Sequence, residues 1–239
     1  MKKIFYLAAM ALCIGAMATS CSKDSKKSDD SKAAIEDLGG GIYKVNGYRF
    51  VDLGLPSGLL WAECNVGASS ETEKGTIVAW GEIETKSSFT ADNYKYGKDE
   101  SSYTKYAEKD GKQTLEASDD LATVALKAPC RTPLLAEYKE LFNQENTTTT
   151  WTTRTAGDNT VYGVEVKSNK NGNTIFFPAF KEDTNPYASY WAADIYANVP
   201  FDYDLASSFS VAEHSTWNGC GSQNRYDGNA VRPVASNLK

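Results

Sequence analysis

The chain is poor in the residues on which most catalytic centres depend. His214 is the single histidine in 239 residues. That removes multi-histidine metal sites and leaves a Ser-His or Cys-His mechanism one base to draw on. The five cysteines contain no C-x-x-C spacing, so zinc-ribbon and thioredoxin-like chemistry have no motif to rest on. Basic residues are not in excess, with 25 Lys and Arg against 31 Asp and Glu. A net charge of −6 argues against a nucleic-acid binder, which needs clustered cationic surface to displace counterions from phosphates. No apolar run reaches the roughly 20 residues of a membrane-spanning helix. Against these absences, 41% hydrophobic and 12% aromatic residues are enough to pack a core, which excludes wholesale disorder.

The longest apolar run is at the start. Lys2 and Lys3 precede Ile4–Ala18, and Ala18, Thr19 and Ser20 lead into Cys21. The pattern is a signal peptide over 1–20, and its end resembles a bacterial lipobox with Met17-Ala18 in a relaxed first position. Such a motif implies that Cys21 is lipidated and becomes the new N-terminus, anchoring the chain to a membrane; loss of Lys2 and Lys3 takes the net charge to −8. Residues 21–41 are dominated by Ser, Lys and Asp before Gly39-Gly40-Gly41, the composition of a flexible tether. Acidic Asp24, Asp29 and Asp30 behind the cysteine resemble the surface-export signal of Bacteroidetes-type lipoproteins. The expected location is the cell envelope, on the outer membrane and exposed at its surface. Cys64, Cys130 and Cys220 remain outside the reducing cytoplasm, where one disulfide is allowed; their spacing does not choose it.

From residue 42 the chain reads as one α+β domain ending at 239. Asn46-Gly47 between IYKV and YRFVDL predicts a hairpin with strands near 42–45 and 48–53. Further strands are expected at 59–63 and 76–80, followed by a long irregular surface excursion over 85–113. Ser118 caps a first helix running to about Lys127. Thr132 caps a second, with Pro133 at its first position and Leu134, Leu135, Tyr138, Leu141 and Phe142 on one face. Strands then recur at 162–167, 175–177, 190–196, 204–209 and 230–234, with a turn at 169–173. Helices between two groups of strands give a mixed or antiparallel sheet with two helices and long loops, not a doubly wound fold.

Seven ordered motifs carry a resemblance over residues 42–235. They are the run Phe50–Ala68 (FVDLGLPSGLLWAECNVGA), Ala79-Trp80-Gly81-Glu82, Leu115-Glu116 with Asp119-Asp120, Arg131-Thr132-Pro133 with Glu137, Ile175–Ala179, Tyr190-Trp191 and Val231–Val234. Together they are similar to the Fibrobacter succinogenes major paralogous domain family. The resemblance implies a secreted or lipid-anchored protein with a C-type-lectin-like fold whose terminal strands, RFVDL and AVRPV, pair. It implies no established activity. The family pattern has Trp where Cys130 stands and a cysteine near 146–151 that is absent here. Cys64 would then lack its partner, leaving Cys130 and Cys220 as the disulfide to test.

Several residues carry chemistry. His214 beside Ser215 has no G-x-S-x-G elbow and reads as a surface histidine. Asp183, Asn185, Asp194, Asp202, Asp204 and Asn218 supply oxygens for calcium, yet Thr184-Asn185-Pro186 and Trp217-Asn218-Gly219 depart from the sugar-binding triplets of related lectins, so no cofactor is expected. Tyr187, Tyr190, Trp191, Tyr196, Tyr203 and Trp217 crowd the last third among Asn, Asp and Ser. Sugar rings have apolar faces and hydroxyl edges, so Tyr187, Trp217, Asn218 and Asp194 are the candidate ligand site for a glycan or surface protein. Arg232 is expected to point inward and pair with Asp52, Glu82 or Glu116. The expected function is a non-catalytic binding or adhesion module. Its rivals are an enzyme on a formylglycine-generating-enzyme-like scaffold and a structural surface component without a ligand.

Overall fold

The computed structural model describes residues 34–181, 185–196, 203–213 and 219–236. The chain enters its first sheet as β1 (Ile35–Gly39), antiparallel to β2 (Ile42–Val45). Residues 35–39, expected to belong to a flexible tether, therefore form a strand of the sheet. From Ile35 the backbone is bound to a sheet edge, although its side chains stay largely exposed. Asn46 and Gly47 have φ of 50° and 93°, the two-residue turn that Asn-Gly favours, and Val45 faces Tyr48 where β3 (Tyr48–Asp52) begins. β4 (Leu60–Ala62) follows. Residues 76–80 form no ladder strand; Val78 makes a single bridge to Asn229.

Helix α1 (Leu121–Leu126) starts at Asp120, not Ser118. The Asp120 carboxylate accepts from the Ala122 and Thr123 amides and from the Thr132 hydroxyl at 2.6 Å, fastening the helix to β5 (Cys130–Arg131) and its sequel. Helix α2 (Leu135–Leu141) begins after Leu134, so Thr132 and Pro133 lie outside it. Its start is served by carboxylates: Glu137 accepts from the Leu134 amide at 2.8 Å and also clamps Arg131. The remaining chain is β6 (Thr147–Ala156), β7 (Asn159–Ser168), β8 (Thr174–Pro178), β9 (Tyr187–Ile195), β10 (Leu205–Ala212), β11 (Cys220–Asn224) and β12 (Val234–Ala235).

These strands make three sheets, ordered β1-β2-β3-β4-β12-β5, β11-β10-β9 and β6-β7-β8. Among the described residues every ladder is antiparallel, and with two α-helices there the fold is α+β. The terminal segments share a sheet but do not pair directly. β4 lies between β3 and β12, because the chain's last strand bonds to Leu60 and Trp61 on one side and to Cys130 and Arg131 on the other.

The first sheet is covered on both faces. Successive side chains of a strand point to opposite sides, so Phe50, Leu60, Ala62 and Ala235 enter one hydrophobic cluster while Val51, Trp61 and Val234 enter a second. This explains the near-continuous apolar runs in these short strands. The first cluster contains Trp80, Tyr94, Tyr96, Tyr103 and Tyr106. The excursion over 85–113 is irregular, as expected, but its tyrosines are core and not surface. Their hydroxyls have partners there: Tyr94 donates to the Trp80 carbonyl at 2.8 Å and Tyr96 to that of Gly81 at 2.9 Å. In the second cluster Tyr138, Phe142, Phe177 and Phe209 stack or meet edge to face. Gly163 on β7 has no room for a methyl, which would meet the Phe177 carbonyl and the Phe176 ring.

Candidate functional site

The Asn-Gly turn does more than reverse the chain. The Asn46 side-chain amide donates to the carbonyls of Leu126 at 2.9 Å and Ala128 at 3.0 Å, drawing the end of α1 against the hairpin. Between them and the segment after β4 opens a pocket of about 200 Å³. Tyr48 and Arg49 form one side, Ala62–Val66, Ala68 and Ser69 another, with Leu126 and Pro233 contributing apolar surface. Tyr48 is 44% exposed, among the most exposed large hydrophobic side chains described. Arg49 and Glu63 face each other across β3 and the end of β4, on the opposite side of the sheet from Tyr48, and there Arg49 Nε donates to Glu63 Oε2 at 2.7 Å, with both side chains well solvated.

Behind that wall lies Arg232, fully buried. The expected carboxylate partner is not there. Its Nε donates to Asn65 Oδ1 at 2.8 Å, and its terminal nitrogens donate to the carbonyls of Ala62, Glu63 and Phe176 at 3.1, 2.9 and 2.9 Å. The Phe177 ring lies 4.6 Å from the guanidinium carbon. Carbonyl dipoles and a ring face replace the counter-ion, and burial lowers the pKa from its ordinary value; an arginine begins high enough to stay charged. Because Ala62, Glu63 and Asn65 also line the pocket, Arg232 holds the pocket's back wall in place.

Cys64 opens into the same pocket. Burial raises its pKa, Arg232 opposes that, and Glu63, Glu71 and Glu73 add to it. Cys130 and Cys220 do not bridge: Cys64, Cys130 and Cys220 are all free. Cys130 packs into the first hydrophobic cluster and Cys220 against the second, on different sheets. Burial, with Asp120 nearby, pushes the Cys130 thiol up to about 12; burial takes Cys220 to about 11, Lys139 opposing and Asp194 adding. A thiol is nucleophilic as thiolate, and at all three positions burial is the largest influence and acts against that form.

No family model, curated protein or solved structure matches the chain.

The sequence-derived ligand site is not assembled among the described residues. Asp194 sits near the end of β9 with its carboxylate accepting from the Leu135 amide at 2.8 Å, so it serves the start of α2; burial raises its pKa. Tyr187, at the other end of β9, is half-buried, with its backbone paired to Lys181 and that ammonium 5.7 Å from its ring centroid. Tyr190, Trp191 and Tyr203 are core. Trp217, Asn218, His214, Asp183, Thr184, Asp202 and Cys21 lie outside the described residues. Among the described residues no three His, Cys, Asp or Glu side chains converge as a metal site would require.

Sequence reasoning missed two features. Tyr48 and Arg49 are separated from Glu63 by a strand and a loop, and only the β3–β4 register brings Arg49 and Glu63 together. The second is Arg225, fully buried among Trp80, Tyr94 and Tyr103. The tyrosine density over 94–106 was the available signal, since buried phenols and carbonyls attract a multidentate donor.

Proposed function

We propose that the chain is an envelope-anchored lipoprotein whose domain is a non-catalytic binding or adhesion module for a glycan or protein ligand. The observation that carries this reading is the open pocket beside Tyr48, an exposed aromatic ring next to apolar Leu126 and Pro233. The rival enzyme on a formylglycine-generating-enzyme-like scaffold needs a reactive cysteine pair. Three unpaired thiols with raised pKa values count against that chemistry. Membership of the Fibrobacter succinogenes major paralogous domain family, with a C-type-lectin-like fold, rests on the seven ordered motifs; the antiparallel architecture with two short helices is compatible with it.

Attachment through Cys21 at the outer membrane completes the proposal. With the sheet starting at Ile35, residues 22–34 connect anchor to domain, reaching at most about 45 Å when extended. Purified protein applied to a glycan and surface-protein array is expected to give a saturable signal. Silence on both panels would reduce the domain to a structural component. Radiolabelled palmitate should enter the wild type and be lost in Cys21→Ala; equal labelling of both removes the anchor.

A further inference from the structure

We propose that Lys181 and Asn229 join in an intramolecular isopeptide bond, tying the chain just after β8 to the segment that leads into β12. Contact is the first argument. Lys181 Nζ donates to Asn229 Oδ1 at 2.8 Å, across 48 residues of chain. The amine thus stands one atom from the amide carbon that it attacks. Groups held in such contact react as if one were present at about 10⁵–10⁸ M, provided the geometry is kept.

Rigidity is the second. Lys181 and Tyr187 exchange backbone hydrogen bonds at 2.8 and 3.0 Å, and Asn229 does the same with Val78 at 3.1 Å in each direction. Asn229 is fully buried, and its amide is held against turning over. An ammonium only donates, so Oδ1 faces Lys181 and Nδ2 is left to donate to Gln223 Oε1 at 2.8 Å. Gln223 Nε2 in turn donates to Ser189 Oγ at 2.6 Å. Reversing the Asn229 amide sets donor against donor at Lys181 and acceptor against acceptor at Gln223.

Charge is the third. Among the described residues no carboxylate lies within ion-pair distance of the half-buried Lys181 ammonium. Burial lowers its pKa, with Asp227 opposing, so more of the amine is the free base that can attack. The step balances without an oxidant or a second reactant. The ammonium gives one proton to water, and its lone pair forms the Nζ–Cγ bond. The Cγ–Nδ2 bond breaks, one hydrogen passes from Nζ to the departing nitrogen, and ammonia leaves. The product closes a covalent loop from Lys181 to Asn229, which restricts the unfolded chain as a disulfide does. Cys64, Cys130 and Cys220 do not serve that purpose, because all three are free.

Peptide mapping of the purified full chain by mass spectrometry tests the bond, which is independent of what the domain binds. The protein is digested with trypsin when fresh and after days at neutral and at alkaline pH. The expected result is one branched peptide carrying Lys181 and Asn229, lighter by one ammonia than its two linear parts together and uncut at Lys181. The share of branched peptide rises with time, and faster at alkaline pH, where more of the amine is free. Lys181→Arg keeps a donor for Asn229 but has no amine to acylate, so it yields linear peptides only. Asn229→Ala removes the carbon that is attacked and does the same. A wild type whose peptides stay linear after alkaline incubation overturns the proposal, whether or not the variants fold. So does an ammonia loss that maps to a different asparagine, which marks a succinimide, or a branched peptide that persists in Lys181→Arg.

Discussion

The Arg225 guanidinium lies 4.2 Å from the centre of the Tyr103 ring, and neither side chain is open to solvent. Around the same cation Nε donates to the Tyr94 hydroxyl at 3.1 Å, and the terminal nitrogens donate to the carbonyls of Lys105, Tyr106 and Tyr203 at 3.0–3.1 Å. An irregular segment has no ladder to satisfy its carbonyls, and one arginine does so here.

Arg225→Met keeps much of the volume but strips these acceptors of their donor. Each orphaned acceptor costs about 1–3 kcal/mol, so a loss above about 3 kcal/mol is expected in urea unfolding. Arg225→Lys should recover less than half, because an ammonium cannot reproduce the planar fork. Full rescue by lysine would show that charge alone matters.

Arg232→Leu should lower yield and melting temperature by the same logic, since the carbonyls of Ala62, Glu63 and Phe176 lose their donor. A loss of about 3 kcal/mol or more is expected. A variant that melts like wild type would defeat the structural role.

Two carboxylates predict opposite responses to acid. Burial pushes Asp119 up, but hydrogen bonds from Lys105, Tyr106, Tyr96 and Lys95 outweigh it and hold the group well below the usual range. Its stabilisation is complete above the unfolded value of about 3.9 and is lost as pH falls below it. Asp119→Asn should therefore melt lower at neutral pH and show a shallower acid loss. Asp194, raised by burial, costs stability once pH exceeds the unfolded value. Asp194→Asn keeps an acceptor for Leu135 and should be neutral or stabilising by up to about 1 kcal/mol, whereas Asp194→Ala should cost about 1 kcal/mol as a lost cap. Melting curves across the acid range separate the two.

For the thiols, peptide mapping without reductant should find no bridge among Cys64, Cys130 and Cys220. Native alkylation should run fastest at Cys64 and slowest at Cys130, which is 1% exposed. A Cys130–Cys220 bridge in the folded protein would contradict the separation of their cores.

Local signals were readable where one residue dictates one backbone state. Asn46-Gly47 predicted its hairpin, Pro and acidic residues marked two helices to within two or three positions, and the alternation over 162–167 marked β7. β6 was missed because its run of threonines looks polar on both faces and carries no alternation, although β-branched residues suit strands. No period organises the tyrosines over 94–106, so nothing in the sequence marks them as core. Their burial depends on partners far along the chain, at Trp80, Asp119 and Arg225.

Composition and short motifs were sufficient to establish an α+β chain with the antiparallel hairpin and two helices, because turn chemistry and apolar spacing act over a few residues. Which side chains share a pocket was settled by long-range pairing alone. Tyr48, Glu63, Leu126 and Pro233 meet only when β12 enters between β4 and β5 and Asn46 grips the end of α1. The same holds for Arg232, whose carbonyl partners exist as a set only after two distant segments, at Ala62–Glu63 and at Phe176, have closed around it.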